Sequence, residues 1–175
     1  AKGPLSAAKY RLAATGNASF GYFGGGYPGG GPFSTVDRID YSNDTAEASP
    51  KGNLSLARHD LSATGNSDFG YFGGGSPTTT IIDRIDYSND TATAAEKGST
   101  SSARSRMGTT GNASFGYFAG GGLNVSTIDR LDYSNDTTDA SPKGNLSVGR
   151  YGLAAASAQA NAITDLTVFP ALSSV

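Results

Sequence analysis

The stretch "STVDRIDYSNDT", residues 34–45, decides the fold. It alternates: Thr35, Asp37, Ile39 and Tyr41 fall on one side, and Val36, Arg38 and Asp40 on the other. Alternation with β-branched and aromatic residues predicts a strand. The closing "SNDT" is turn material, since Asn and Asp side chains bond their own backbone. The stretch returns as "TIIDRIDYSNDT" from Thr80 and "STIDRLDYSNDT" from Ser126. Its core starts at Asp37, Asp83 and Asp129, spacings of 46 and 46, while Lys-Gly starts at Lys2, Lys51, Lys97 and Lys143, spacings of 49, 46 and 46. The three extra residues lie between Gly26 and Ser34, where "YPGGGPF" stands in place of "SPTT" and "GLNV". An insertion confined to one point marks an exposed loop there.

A period near 46 fits either propeller blades or helical solenoid repeats. Propensity separates them, because each copy also carries "FGYFGGG" or "FGYFAGG", a glycine run that a helix tolerates poorly. Four short strands per repeat are expected, in the second copy near 58–63, 69–72, 80–87 and 91–95. Thirty of 175 residues are Leu, Ile, Val or Phe, which is low for a packed domain. The high net charge that accompanies disorder is missing, since 13 basic and 15 acidic residues nearly cancel. Nine Tyr and eight Phe supply bulk. The chain therefore reads as an all-β protein with small-residue turns.

Cysteine is absent, which excludes disulfides, zinc–thiolate sites and thiol catalysis. There is no run of five basic residues to hold nucleic acid, and no apolar stretch of membrane-spanning length. The opening "AKGPLSAAKYRL" has no apolar signal core and begins in mid-repeat, so a piece of something longer is expected. Eight N-x-[ST] sequons follow from the repeated Asn, Ser and Thr turns.

An apolar stretch ending in a glycine doublet, then a variable loop, a strand carrying Tyr and a small-residue segment with Arg resembles the kelch pattern. Its parts are Gly24, Gly25, Tyr41 and Arg58, then Gly73, Gly74, Tyr87 and Arg104, then Gly120, Gly121, Tyr133 and Arg150. The usual Trp after the Tyr is missing; Ala48, Ala94 and Ala140 stand about where it would fall, so other aromatics must fill the space between blades. The wording also resembles repeat proteins of marine tailed phages, cyanophages among them. The resemblance implies a kelch-like β-propeller with one four-stranded blade per repeat. Repeats are expected near 1–48, 49–94 and 95–140, a part-repeat over 141–156 and a C-terminal tail over 157–175 that packs on a partner or neighbouring domain. Propellers have four to eight blades, so about three blades form an incomplete ring. More chain upstream or another copy would complete it.

The repeated charges read as scaffold. Asp37 and Asp40 point to opposite faces of a strand and cannot share one ion. Arg38, Arg84 and Arg130, like Arg58, Arg104 and Arg150, are placed mid-strand, with Asp40, Asp86, Asp132 and the other aspartates of the "DR(I/L)D" motif as partners bracing neighbouring strands. "GGGYPGGGPF" lacks the GK[ST] ending of a phosphate loop and reads as a flexible loop, with Tyr27 and Phe33 as candidate contacts. The residues that break the repeat (Tyr27, Phe33, His59, Asp60, Arg106, Met107) form no recognisable catalytic set. The expected function is a non-enzymatic structural or binding module of a virion, on the particle exterior as a tail or fibre protein. Its partners would be other protein subunits, virion components or copies of itself, and a cell-surface glycan. No cofactor or metal, no nucleic acid and no membrane insertion is expected. The alternatives are a secreted or surface bacterial carbohydrate-binding propeller, and part of a kelch-type enzyme whose active blades lie elsewhere.

Overall fold

The computed structural model describes residues 2–156; the expected packing of a tail over 157–175 lies outside them. The chain is all-β. It forms three four-stranded antiparallel sheets, each a meander in sequence order, and none closes into a barrel. The first holds β1 (Ala13–Gly16), β2 (Phe20–Gly24), β3 (Val36–Asp40) and β4 (Ser49–Pro50). The second holds β5 (Ser62–Gly65), β6 (Phe69–Gly73), β7 (Ile82–Asp86) and β8 (Ala95–Glu96). The third holds β9 (Gly108–Gly111), β10 (Phe115–Ala119), β11 (Thr127–Asp132) and β12 (Ser141–Asn145). The sheets are three propeller-like blades of an incomplete ring. Strand β5 lies against β1 on one side and β9 on the other, so the innermost strands line a common axis.

A threonine ladder ties these inner strands together. Thr15 Oγ1 donates to the Thr64 carbonyl and Thr64 Oγ1 to the Thr110 carbonyl, both at 3.2 Å. Thr110 Oγ1 donates to the Ala156 carbonyl at 2.6 Å, so residues after β12 continue along the axis. Two apolar clusters fill the gaps between blades. The first joins Tyr22, Val36, Leu54, Phe72 and Ile85, and the second joins Tyr71, Ile82, Phe118, Leu131 and Tyr133.

Strand bounds differ from expectation at both ends of the second blade. Its first strand begins at Ser62, because Asp60 takes a left-handed backbone (φ 54°) that breaks the ladder. Arg58 and Arg104 therefore lie in the irregular segments before β5 and β9, not in mid-strand, and Arg150 lies outside any strand. The last strand begins only at Ala95, since Tyr87–Asn89 form a short 3-10 turn. Tyr41 and Tyr133 occupy the same turn in the other blades, so the signature tyrosines leave the strand that the alternation assigned them.

Candidate functional site

The seams between blades are built from Tyr and Arg facing each other across a strand pair. Tyr22 on β2 is in register with Arg38 on β3, and Tyr71 on β6 with Arg84 on β7. Adjacent side chains on one face can converge on a single acceptor. Tyr22 Oη and Arg38 Nη1 both donate to Oδ2 of Asp90, at 3.0 and 2.7 Å, just after the 3-10 turn of the next blade. The second seam repeats this: Tyr71 and Arg84 donate to Asp136 Oδ2 at 2.9 and 2.8 Å. Lys51 and Lys97 approach the other carboxylate oxygens at 3.6 and 3.7 Å.

Aromatic rings take the volume left by the missing tryptophans. Tyr22 stacks on Tyr87 at 4.7 Å between centroids, and Tyr71 on Tyr133 at 4.8 Å. Ala94 and Ala140 are buried in the same two clusters, and Ala48 is buried in the first blade. Burial, aided by the adjacent carboxylates, drives the Tyr22 and Tyr71 phenols well above their ordinary range. Burial alone pushes Tyr133 up to about 12. On the open side of each Arg lies a phenylalanine ring, 4.2–4.3 Å from the guanidinium carbon: Phe20 under Arg38, Phe69 under Arg84 and Phe115 under Arg130.

The "DR(I/L)D" aspartates divide their work, and not as the strand alternation suggests. The first of each pair is fully buried inside its own blade. Asp83 meets Arg58 at 3.0 Å and Asp129 meets Arg104, while Asp37 meets Lys9, the residue at Arg58's place, at 3.0 Å. The second of each pair does not brace an arginine. Asp40, Asp86 and Asp132 end their strands and turn back to cap the 3-10 turn, accepting from Ser42, Ser88 and Ser134. Those hydroxyl bonds hold the three carboxyls below the usual carboxylate range. Arg38 and Arg84 reach instead to the "SNDT" aspartate of the next blade.

The glycine doublets are contact surfaces. A Cβ on Gly24 would stand 2.7 Å from the Phe72 ring of the next blade, and one on Gly73 2.5 Å from Phe118. Gly25, Gly74 and Gly120 take φ of 60–69° and turn the chain out of the strand. Ala119 stands at the place of Gly24 and Gly73, so the third blade does not offer a neighbour the same socket. Gly121 follows in the loop and donates its N–H to the Arg150 carbonyl at 2.9 Å.

Of the loop candidates, Phe33 is pinned by its backbone, donating to the Gly26 carbonyl and accepting from the Arg58 N–H. Tyr27 is half-buried, edge-on to Tyr10 at 5.7 Å and to His59 at 5.2 Å. This leads to a group that repeat reasoning missed. His59 Nδ1 lies 3.1 Å from Asp60 Oδ2, Arg106 Nε lies 3.3 Å from that oxygen, and Arg11 Nη1 lies 3.7 Å from it. Arg11 also sits over the Tyr10 ring and Arg106 over Tyr151. Most of the symmetry-breaking residues thus meet at one end of the axis; Met107 is apart, buried in the second apolar cluster. The signal lay in "KYRL", "RHDL", "RSRM" and "RYGL", from residues 9, 58, 104 and 150, which differ at two inner positions within otherwise similar segments.

The third residue of each segment is left-handed: Arg11 (φ 59°), Asp60 (54°), Arg106 (57°) and Gly152 (67°). Glycine suits this conformation. For arginine it costs about 1–2 kcal/mol, while exposed ion pairs return about 0–1 kcal/mol. The Asp60 bridges and the contacts with Tyr10 and Tyr151 offset part of that strain at Arg11 and Arg106.

No protein-family model and no curated protein matches the chain. No helix among the described residues is long and apolar enough to cross a membrane.

Proposed function

We propose that this chain is a non-enzymatic structural and binding module, a kelch-type propeller array on the exterior of a phage particle, in a tail or fibre. Its role is assembly or host-surface contact, and its partners are other subunits. The observation that supports this is how the charges are spent. In both seams the same Tyr, Arg and Asp are consumed in joining one blade to the next. The buried carboxylates each answer a cation of their own blade. Groups tied up in this way have no part left for acid–base or nucleophilic chemistry.

Intact particles test this directly. The chain is expected to co-purify with tail and capsid components, in a native assembly heavier than a single chain. A monodisperse 17.7 kDa species with a cooperative melt, absent from particles, contradicts the reading. A second reading, a bacterial surface propeller that binds carbohydrate, is favoured by the exposed Tyr10 and Tyr151 at the axial end. Glycan binding by a chain found on bacterial cells and missing from particles would favour it.

A further inference from the structure

The segments that start at residues 9, 58, 104 and 150 enter the axis with the same backbone. Asp60 N–H donates to the Arg11 carbonyl, Arg106 N–H to Asp60 and Gly152 N–H to Arg106, at 2.8–3.0 Å. Only their side chains differ, and they differ where they face outward. We propose that this axial end is a binding site for an acidic saccharide, a sugar ring carrying a carboxylate.

Three features carry the assignment. Asp60 offsets one of the two arginine charges beside it, leaving one positive charge for a monoanion. The Arg11 and Arg106 side chains are both 44% exposed, so part of each guanidinium fork is open to a carboxylate. The rings of Tyr10 and Tyr151 are about half exposed, and such flat surfaces suit the C–H face of a sugar. The third feature is the strained backbone. Glycine serves at the fourth position, yet arginine stands at the first and third on a left-handed backbone that favours glycine. A side chain held at a cost and left half-exposed is explained by what it meets from outside. None of these side chains belongs to the Tyr–Arg–Asp clusters of the seams; the backbone bonds and the Asp60 bridges link the blades here, so the Tm of each variant is read beside its affinity.

This inference rests on the binding half of the reading above, not on its assembly half, so co-purification with particles leaves it untouched either way. The test is calorimetric titration of the full chain with oligogalacturonate and with sialyllactose, against methyl-esterified oligogalacturonate and lactose. We expect at least one acidic sugar to bind and its neutral counterpart to bind at least tenfold more weakly. Arg11→Gly and Arg106→Gly should each weaken binding tenfold or more with an unchanged or raised Tm, since glycine suits the backbone there. Asp90→Asn, in a seam, should leave affinity unchanged. Binding of neither acidic sugar, equal binding of the neutral forms, or affinity indifferent to both glycine variants would overturn the site. A sharp fall in Tm in the glycine variants would show that the arginines are structural instead.

Discussion

The two closed seams and the two outer faces of the array carry nearly the same residues in different surroundings. Tyr133 is 8% exposed in its seam, while Tyr41, its counterpart on the first blade, is 50% exposed. Asp90 and Asp136 each take a tyrosine and an arginine from the preceding blade; among the described residues the Asp44 carboxylate takes only the exposed Lys2, at 2.8 Å. Arg104 is buried against Asp129, whereas Arg150 is exposed and its guanidinium donates, among the described residues, only to the nearby Val148 carbonyl. One residue type in two environments is a built-in control. It teaches that the strength of the repeat lies in desolvated pairing, within a blade at Arg104–Asp129 and between blades at the seams, and not in residue type alone.

The largest break in that comparison should come from the buried pairs. Removing one partner leaves a charge that can neither ionise freely nor reach water, at a cost of about 3–5 kcal/mol. Asp129→Ala strands Arg104 in this way, and Asp83→Ala strands Arg58, whose guanidinium is already pulled below its ordinary pKa by burial. Arg150→Ala, at the same repeat position on the open side, should change stability by no more than about 0.5 kcal/mol. Urea denaturation of the three variants measures the gap, and equal losses at Arg150 and Asp129 would refute the comparison.

Next come the seams themselves. Asp90→Asn replaces a charged acceptor shared by Tyr22 and Arg38 with a neutral amide, and should cost about 1–3 kcal/mol. Asp44→Asn, on the outer face, should fall within about 0.5 kcal/mol of the parent. The same denaturation series checks both. A third contrast uses alkali. Tyr22 and Tyr71 hold their protons more tightly in the fold than in the unfolded chain. Their contribution is thus complete below about pH 10 and is lost as pH rises through the raised native values. Stability should fall above pH 10, and the Tyr22→Phe, Tyr71→Phe double variant should show a shallower fall.

Much of this was legible in the sequence, and the limits have physical causes. The 46-residue period, the strands "FGYFG" and "DRID" and the turn "SNDT" are local, and local alternation and turn chemistry report them well. Partner choice is not local. Arg38 and Asp40 lie two residues apart and look like a pair, but Asp40 stands at a strand end where two Ser42 donors are nearer than the arginine. The true partner, Asp90, is 52 residues away and becomes adjacent only when blades pack. The axial group was hidden for a related reason. Tyr10 and Tyr27, the adjacent His59 and Asp60, and Arg106 come from three different repeats, and the left-handed turns before β1, β5 and β9 help to bring them together.

The smallest effect, and the one that separates cap from brace, concerns Asp86. Its carboxyl accepts from both the backbone N–H and the hydroxyl of Ser88, at 2.9 and 2.6 Å, and these bonds keep it ionised to lower pH than in the unfolded chain. Such a group contributes fully above its ordinary pKa of 3.8, and the contribution vanishes as pH falls through the lower native value. Asp86→Ala should therefore lower Tm slightly near pH 7, by less than Asp90→Asn does, and the two melting curves should converge as pH falls below 4. Calcium should leave the Tm of parent and variant alike, because Asp83 is committed to Arg58 and Asp86 to Ser88. If instead the variant lost a calcium-dependent rise in Tm, the aspartates of "DRIDYSND" would be ligands. If it lost as much stability as Asp90→Asn, Asp86 would be bracing a neighbouring blade after all.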